Sequence, residues 1–136
     1  MFVLESPAFE EREAILAALL AYNQNRAAPA ADAPLTIVLR DAEGATIGGI
    51  AGISAYDWLI VEFLFVPDVM RRRGIGTRLL ARAEEIAGAR GCRGVWLTTF
   101  SFQARGFYEK AGYKLFGTVE DHPAGAARYF LKKRFG

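Results

Sequence analysis

One passage, from residue 58 to residue 100, constrains this chain more than any other. "WLIVEFLFV", residues 58–66, is a near-continuous apolar run, the pattern of a central strand covered on both faces. "RRRGIG", residues 71–76, breaks it with a turn. Ile75, Leu79, Leu80, Ala83, Ile86 and Ala87 then fall on one helical stripe, with Arg78, Arg82, Glu84, Glu85 and Arg90 on the remaining surface. Gly91 is placed to stop that helix. "GVWLTTF", residues 94–100, is a second buried strand. A strand, helix and strand in succession close by a right-handed crossover, which leaves the two strands parallel.

The flanking segments add antiparallel pairs. "LTIVLR" (35–40) and "TIGGIAGIS" (46–54) are strands joined by the turn signal "DAEG". "YKLFGTV" (113–119) and "ARYFLKKRF" (127–135) are a closing pair across a loop, and "SFQARGFYEKAG" (101–112) is a short helix ending at a glycine. Upstream, residues 2–5 read as a short strand. Ser6 and Pro7 read as cap and first position of a helix running to about Tyr22. Residues 23–34 are a polar, Ala/Pro-rich connector. The fold class is therefore α+β: a mixed, largely antiparallel sheet with helices on both faces and a central parallel pair.

A chain of 136 residues fits a single domain, 1–136. It is 52% hydrophobic and 24% charged, a globular balance. The net charge of +2 argues against a nucleic-acid partner, which calls for a strongly basic domain. No apolar run is long enough to span a bilayer, and no secretory leader is evident, so no membrane partner and a cytoplasmic location are expected. Cys92 is the one cysteine, and neither it nor the lone His122 has metal-ligand spacing.

A helix N-terminus presents unpaired N–H groups and partial positive charge. Glycines there let an anion approach the backbone, and arginines add charge-assisted donors. Arg71 to Gly76 supply all of these. The P-loop pattern fails, and the dinucleotide fingerprint fails where its third glycine would be Leu79. On glycines and charge alone, a tight basic turn and a phosphate site are equally good readings.

"FVPDVMRRRGIGTRLL" matches the R/Q-x-x-G-x-G/A signature, with Arg71, Gly74 and Gly76 on its defining positions. "ARGFYEKAGYKLFG" is similar to a second signature downstream. With both in order, the chain resembles the GNAT superfamily of acetyl-CoA-dependent N-acetyltransferases over nearly its whole length. The tail resembles a subgroup of small bacterial members, with Ala126 where that subgroup carries a histidine.

The resemblance implies acetyl-CoA as co-substrate, lying in a splay between the central parallel strands, with no metal. Its pyrophosphate would rest on backbone N–H groups of Arg72, Arg73, Gly74, Ile75, Gly76 and Thr77, with Arg71 completing the motif. Leu64 and Val66 would hold the pantetheine arm, and an N–H there would face the thioester oxygen. Ser101 stands where many relatives have an Asn that contacts the CoA arm. A homodimer is plausible by analogy with relatives.

Glu62 is the one ionisable residue between Asp57 and Asp68. A carboxylate buried in an apolar strand is costly, and burial would push it toward the range of a general base. A Glu at the sheet rim, paired with an arginine, is the structural alternative. A substrate amine with a pKa near ~10.4 arrives protonated, so a base is required. The departing thiolate needs a proton, and a phenol near ~10 can provide one. Tyr108 falls on the family position for that role. Tyr56, Trp58, Phe100 and Phe102 are core residues or walls of an acceptor pocket.

The expected activity is acetyl transfer to a primary amine of a small molecule or peptide by direct attack on the thioester. A non-catalytic acyl-CoA-binding module is the alternative. The acceptor itself is not readable from the sequence.

Overall fold

The computed structural model describes residues 1–5 and 7–136. Ser6, the expected helix cap, lies outside the described residues. The chain clusters into two compact units, Met1–Ala30 and Ala31–Gly136.

The first unit holds helix α1, Phe9–Asn23. Ala8 takes the N-cap position in an extended conformation, and Glu10 and Glu11 in the first turn complement the helix dipole. Arg26 donates to the Tyr22 carbonyl and its guanidinium stacks 3.7 Å over the Tyr22 ring, closing the other end. The strand expected at residues 2–5 does not form. That segment has no ladder partner for its backbone groups.

The second unit is a six-stranded sheet in the order β1-β2-β3-β4-β6-β5. Its strands are β1 (Ala33–Arg40), β2 (Thr46–Ala55), β3 (Trp58–Phe65), β4 (Gly94–Phe100), β5 (Lys114–Glu120) and β6 (Ala127–Arg134). Helix α2 (Ile75–Ala89) links β3 to β4, and α3 (Arg105–Lys110) links β4 to β5. Only β3 and β4 are parallel among the described strands. The mixed architecture expected from the pattern is the one observed. β1 starts at Ala33, inside the expected connector, and so takes in Pro34. A proline is tolerated there because β1 is an edge strand.

α2 buries Leu79, Leu80, Ala83 and Ala87. They form one core with Leu35, Ile50, Leu59, Val61, Val95, Leu97 and Leu131 from the strands beneath. The helix ends in a Schellman motif. Gly91 adopts φ 84°, Cys92 N–H donates to the Ala87 carbonyl and Gly91 N–H to that of Gly88. Glu84 on α2 and Arg90 at its C-cap, both read as solvent-facing, do more. Glu84 is half-buried and accepts from Tyr113 Oη at 2.8 Å and Lys133 Nζ at 2.9 Å. Arg90 reaches β1 and β2, donating to the carbonyls of Ala33 and Pro34 and to Ser54 Oγ.

Candidate active site

The parallel seam is short. It runs from Trp58 opposite Gly94 to Val61 opposite Leu97 and then stops. On the other side of β3, Ala51 opposes Phe63 and Gly52 opposes Val61, so Glu62 has no partner. Glu62 is the extra residue of a β-bulge, a device that bends a strand and re-aims its side chains. Before the bulge, Leu59 and Val61 are buried. After it the parity changes: Leu64 and Val66 pack against the core, while Phe63 and Phe65 are exposed. The expectation of a strand covered on both faces therefore holds only for the first half of β3.

Beyond the seam β3 and β4 part, and a cleft of about 810 Å³ opens between them. Glu62, Leu64, Val66, Arg71, Arg72, Gly74, Ile75, Gly76, Thr77 and Tyr108 all line it. Arg73 and Ser101 do not. Ser101 instead ties β4 to β6: its N–H donates to the Ala127 carbonyl and its Oγ accepts from Ala127 N–H. Thr98, Thr99, Phe102 and Gln103 complete the β4 side, where the sequence had singled out only Phe102. Tyr56, Trp58, Phe100 and Phe102 are all outside the buried core.

At the mouth, the chain leaves β3 through a single 3₁₀ turn, Asp68–Met70, and reaches α2 through Arg71 to Gly74. Arg72 and Gly74 both have left-handed backbone, φ 63° and 71°. No amide N–H from Arg72 to Thr77 finds an acceptor among the described residues, and the first such bond is Arg78 N–H to the Gly74 carbonyl. Six successive donors at the positive end of a helix make an anion cradle. Arg71 is turned inward on this loop. Its Nε donates to the Val66 carbonyl at 2.8 Å, and its Nη1 pairs with Asp68 at 2.8 Å. The side chain thus braces the cradle against the end of β3. The Asp68 brace was visible only as an i, i+3 acid–base spacing.

Glu62 is exposed to the cleft, not buried in the sheet as its apolar surroundings suggested. The bulge supplies the reason, because it lifts this residue out of the strand's alternation. Glu62 has no ion-pair partner among the described residues, so the rim salt bridge with an arginine is absent.

Tyr108 sits on α3 with its ring against Phe107 and Tyr113, at 5.0 and 6.0 Å between centroids. Burial pushes its phenol up to about 12. The hydroxyl forms no hydrogen bond, yet no buried side-chain polar atom lacks a partner, both among the described residues. The Oη therefore reaches the cleft that Tyr108 lines.

The comparisons with known proteins agree with this geometry. The model of the Acetyltransferase (GNAT) family matches residues 1–113. An acetyltransferase of Agrobacterium fabrum, Atu2258, is 39% identical over 98% of both chains. The crystal structure of an Agrobacterium tumefaciens acetyltransferase is 38% identical over 99% of both, with a TM-score of 0.91. The fold extends to a Bacillus anthracis structure described as a streptothricin acetyltransferase in complex with acetyl coenzyme A. That chain is 21% identical, with 85% of this chain and 68% of that one covered and a TM-score of 0.66. Signature turn, splayed parallel strands and relatives spanning its length place this chain in the GNAT acetyltransferase family.

Proposed function

We propose that this protein is an N-acetyltransferase that moves the acetyl group of acetyl-CoA to a primary amine, working in the cytoplasm as one catalytic domain. The carrying observation is that one cleft has at its mouth five residues with free backbone donors, Arg72 and Gly74 to Thr77, and a carboxylate and a phenol within. The donor fits the chain's own groups. The pyrophosphate takes the amides of Arg72 to Thr77, and the pantetheine arm runs beside Leu64 and Val66 where β4 has left β3 unpaired. Arg71 holds the cradle in shape. Acetyl-CoA supplies the activated acyl group.

The chain's residues then handle protons. Glu62, directly or through a water, takes one from the arriving ammonium, and the free amine attacks the thioester carbon. A β3 amide steadies the oxyanion. Glu62 passes that first proton to solvent, the attacking nitrogen then gives its second proton to the freed carboxylate, and the C–S bond breaks as the intermediate collapses to the amide. Tyr108 faces the sulfur as a hydrogen-bond donor. Its phenol near 12 is about 3.5 pH units above a free thiol at ~8.5, so complete transfer is uphill by about 5 kcal/mol. Stabilising the departing thiolate is therefore the larger part of its role, and the thiolate's final proton comes from solvent.

Two measurements test this. Calorimetry should show acetyl-CoA binding in the micromolar range or tighter, and no binding would sink the proposal. Thiol release across an amine panel should reveal turnover. It should fall about 10²- to 10⁴-fold in Glu62→Gln. Binding without turnover of any amine would favour a non-catalytic acyl-CoA-binding module.

A further inference from the structure

Arg128 stands apart from the other arginines of the sheet. It is half-buried on β6, and none of the ion pairs among the described residues includes it. A half-buried cation without a carboxylate calls for a reason, because burial costs a charge its hydration. Its guanidinium is nevertheless held in place. Nε and Nη2 both donate to Thr98 Oγ1, at 3.0 and 2.8 Å. The group lies 5.4 Å from the Phe100 ring and 5.8 Å from Phe130. Nη1 lies 3.5 Å from His122 Nε2. Four groups therefore orient a fork of five donors, and a single hydroxyl absorbs its two strongest bonds.

Thr98 connects this fork to the active site. It is the first β4 residue past the seam, as Glu62 is on β3, and both line the cleft. Arg128 is on the next strand over. Arg128 does not itself line the cleft, and Thr98, to which it donates twice, joins the guanidinium to it from the side opposite Glu62. An amine presented to Glu62 with an extended body would carry its far end toward Arg128.

We infer that Arg128, positioned by Thr98 and flanked by His122, binds an anionic group on the acceptor. The acceptor class is then a primary amine with a carboxylate or phosphate several bonds away. This rests on the acetyltransferase reading of the cleft. Planar bidentate pairing with a carboxylate or phosphate is what arginine does better than any other side chain.

The test compares ω-amino acids and ω-aminoalkyl phosphates with n-alkylamines of matching length. Wild-type kcat/KM should favour one anionic series by about 10- to 100-fold. The preferred series identifies the anion. Arg128→Gln should erase the preference through acceptor KM, with Arg128→Lys intermediate and the acetyl-CoA Kd unchanged. A preference that survives Arg128→Gln, or none in the wild type, overturns the inference. If the panel is not turned over, calorimetry of the same acceptors onto the CoA complex decides. Heat that appears with wild type and vanishes with Arg128→Gln supports it, and no difference overturns it. Failure of the wild type to bind acetyl-CoA would instead remove the reading of the cleft, and this inference with it.

Discussion

Tyr108 and Tyr113 are two buried phenols with different tasks. Burial alone raises Tyr108, whose hydroxyl reaches the cleft. Tyr113 is raised by burial and by the Glu84 carboxylate that accepts its hydrogen bond. Tyr108→Phe should lower kcat by about 10²-fold with little change in acetyl-CoA Kd, as expected for a donor acting on developing charge. With its phenol near 12, Tyr108 should impose no alkaline limb on kcat below about pH 11. Tyr113→Phe should spare the kinetics and cost about 1–2 kcal/mol in urea unfolding, since Glu84 keeps Lys133 as its partner. Both folded phenols are raised above their unfolded value near 10, so their stabilisation is complete below pH 10 and is lost as pH climbs beyond it. The urea midpoint should fall between pH 9 and 11, and less steeply in Tyr113→Phe. At this scale the motif marked Tyr108, and residue type marked Glu62. Neither the exposure of Glu62 nor the unpaired Arg128 was legible, because both depend on which strands become neighbours.

The loop between β3 and α2 shows how an element divides labour between backbone and side chains. Gly74 stands at φ 71°, and a Cβ there would meet nothing within 4 Å. Its replacement is therefore opposed by conformation alone, at about 1–2 kcal/mol for an L-residue. Gly76 has ordinary backbone, but a Cβ would lie 3.3 Å from the Phe107 ring, next to Tyr108. Gly74→Val and Gly76→Val should each raise the acetyl-CoA Kd tenfold or more. Arg72→Ala removes one exposed charge and should raise it only about two- to threefold at physiological salt. The reverse order, measured by calorimetry, would put side-chain charge ahead of the amides. The elements themselves were largely legible, because 3.6- and 2-residue periodicities are local. The bulge at Glu62 was not. It arises from register against β2, where a Cβ on Gly52 would collide with the Ile60 carbonyl, and no local pattern encodes that closeness.

For the molecule as a whole, the order of elements was enough to expect a parallel pair inside an antiparallel sheet. The length of that pairing was not, since four consecutive partners and then none is a property of two strands together. The first unit was legible as a helix and misread as a strand before it, because an isolated apolar stretch looks the same with or without a partner. Binding also has a consequence for stability. Acetyl-CoA at 100 times its Kd should stabilise the native protein by about 2.7 kcal/mol, provided the unfolded chain does not bind it. Differential scanning calorimetry should show this as a rise in the thermal midpoint of roughly 10 °C.

The early end of the β3–β4 seam has one more consequence. A strand edge is normally a problem for the perimeter of a sheet, where charge, proline or brevity keeps it from recruiting another chain. This sheet carries two such edges in its interior, facing each other across the parted strands. In the proposed complex the pantetheine arm would cover them, and the empty enzyme leaves them open to any extended peptide. Self-association should therefore track the catalytic cycle. At fixed ionic strength and protein concentration, light scattering should grow faster for the empty enzyme than for the CoA complex. A single proline placed at Leu64 should suppress that growth while abolishing the grip on the pantetheine arm.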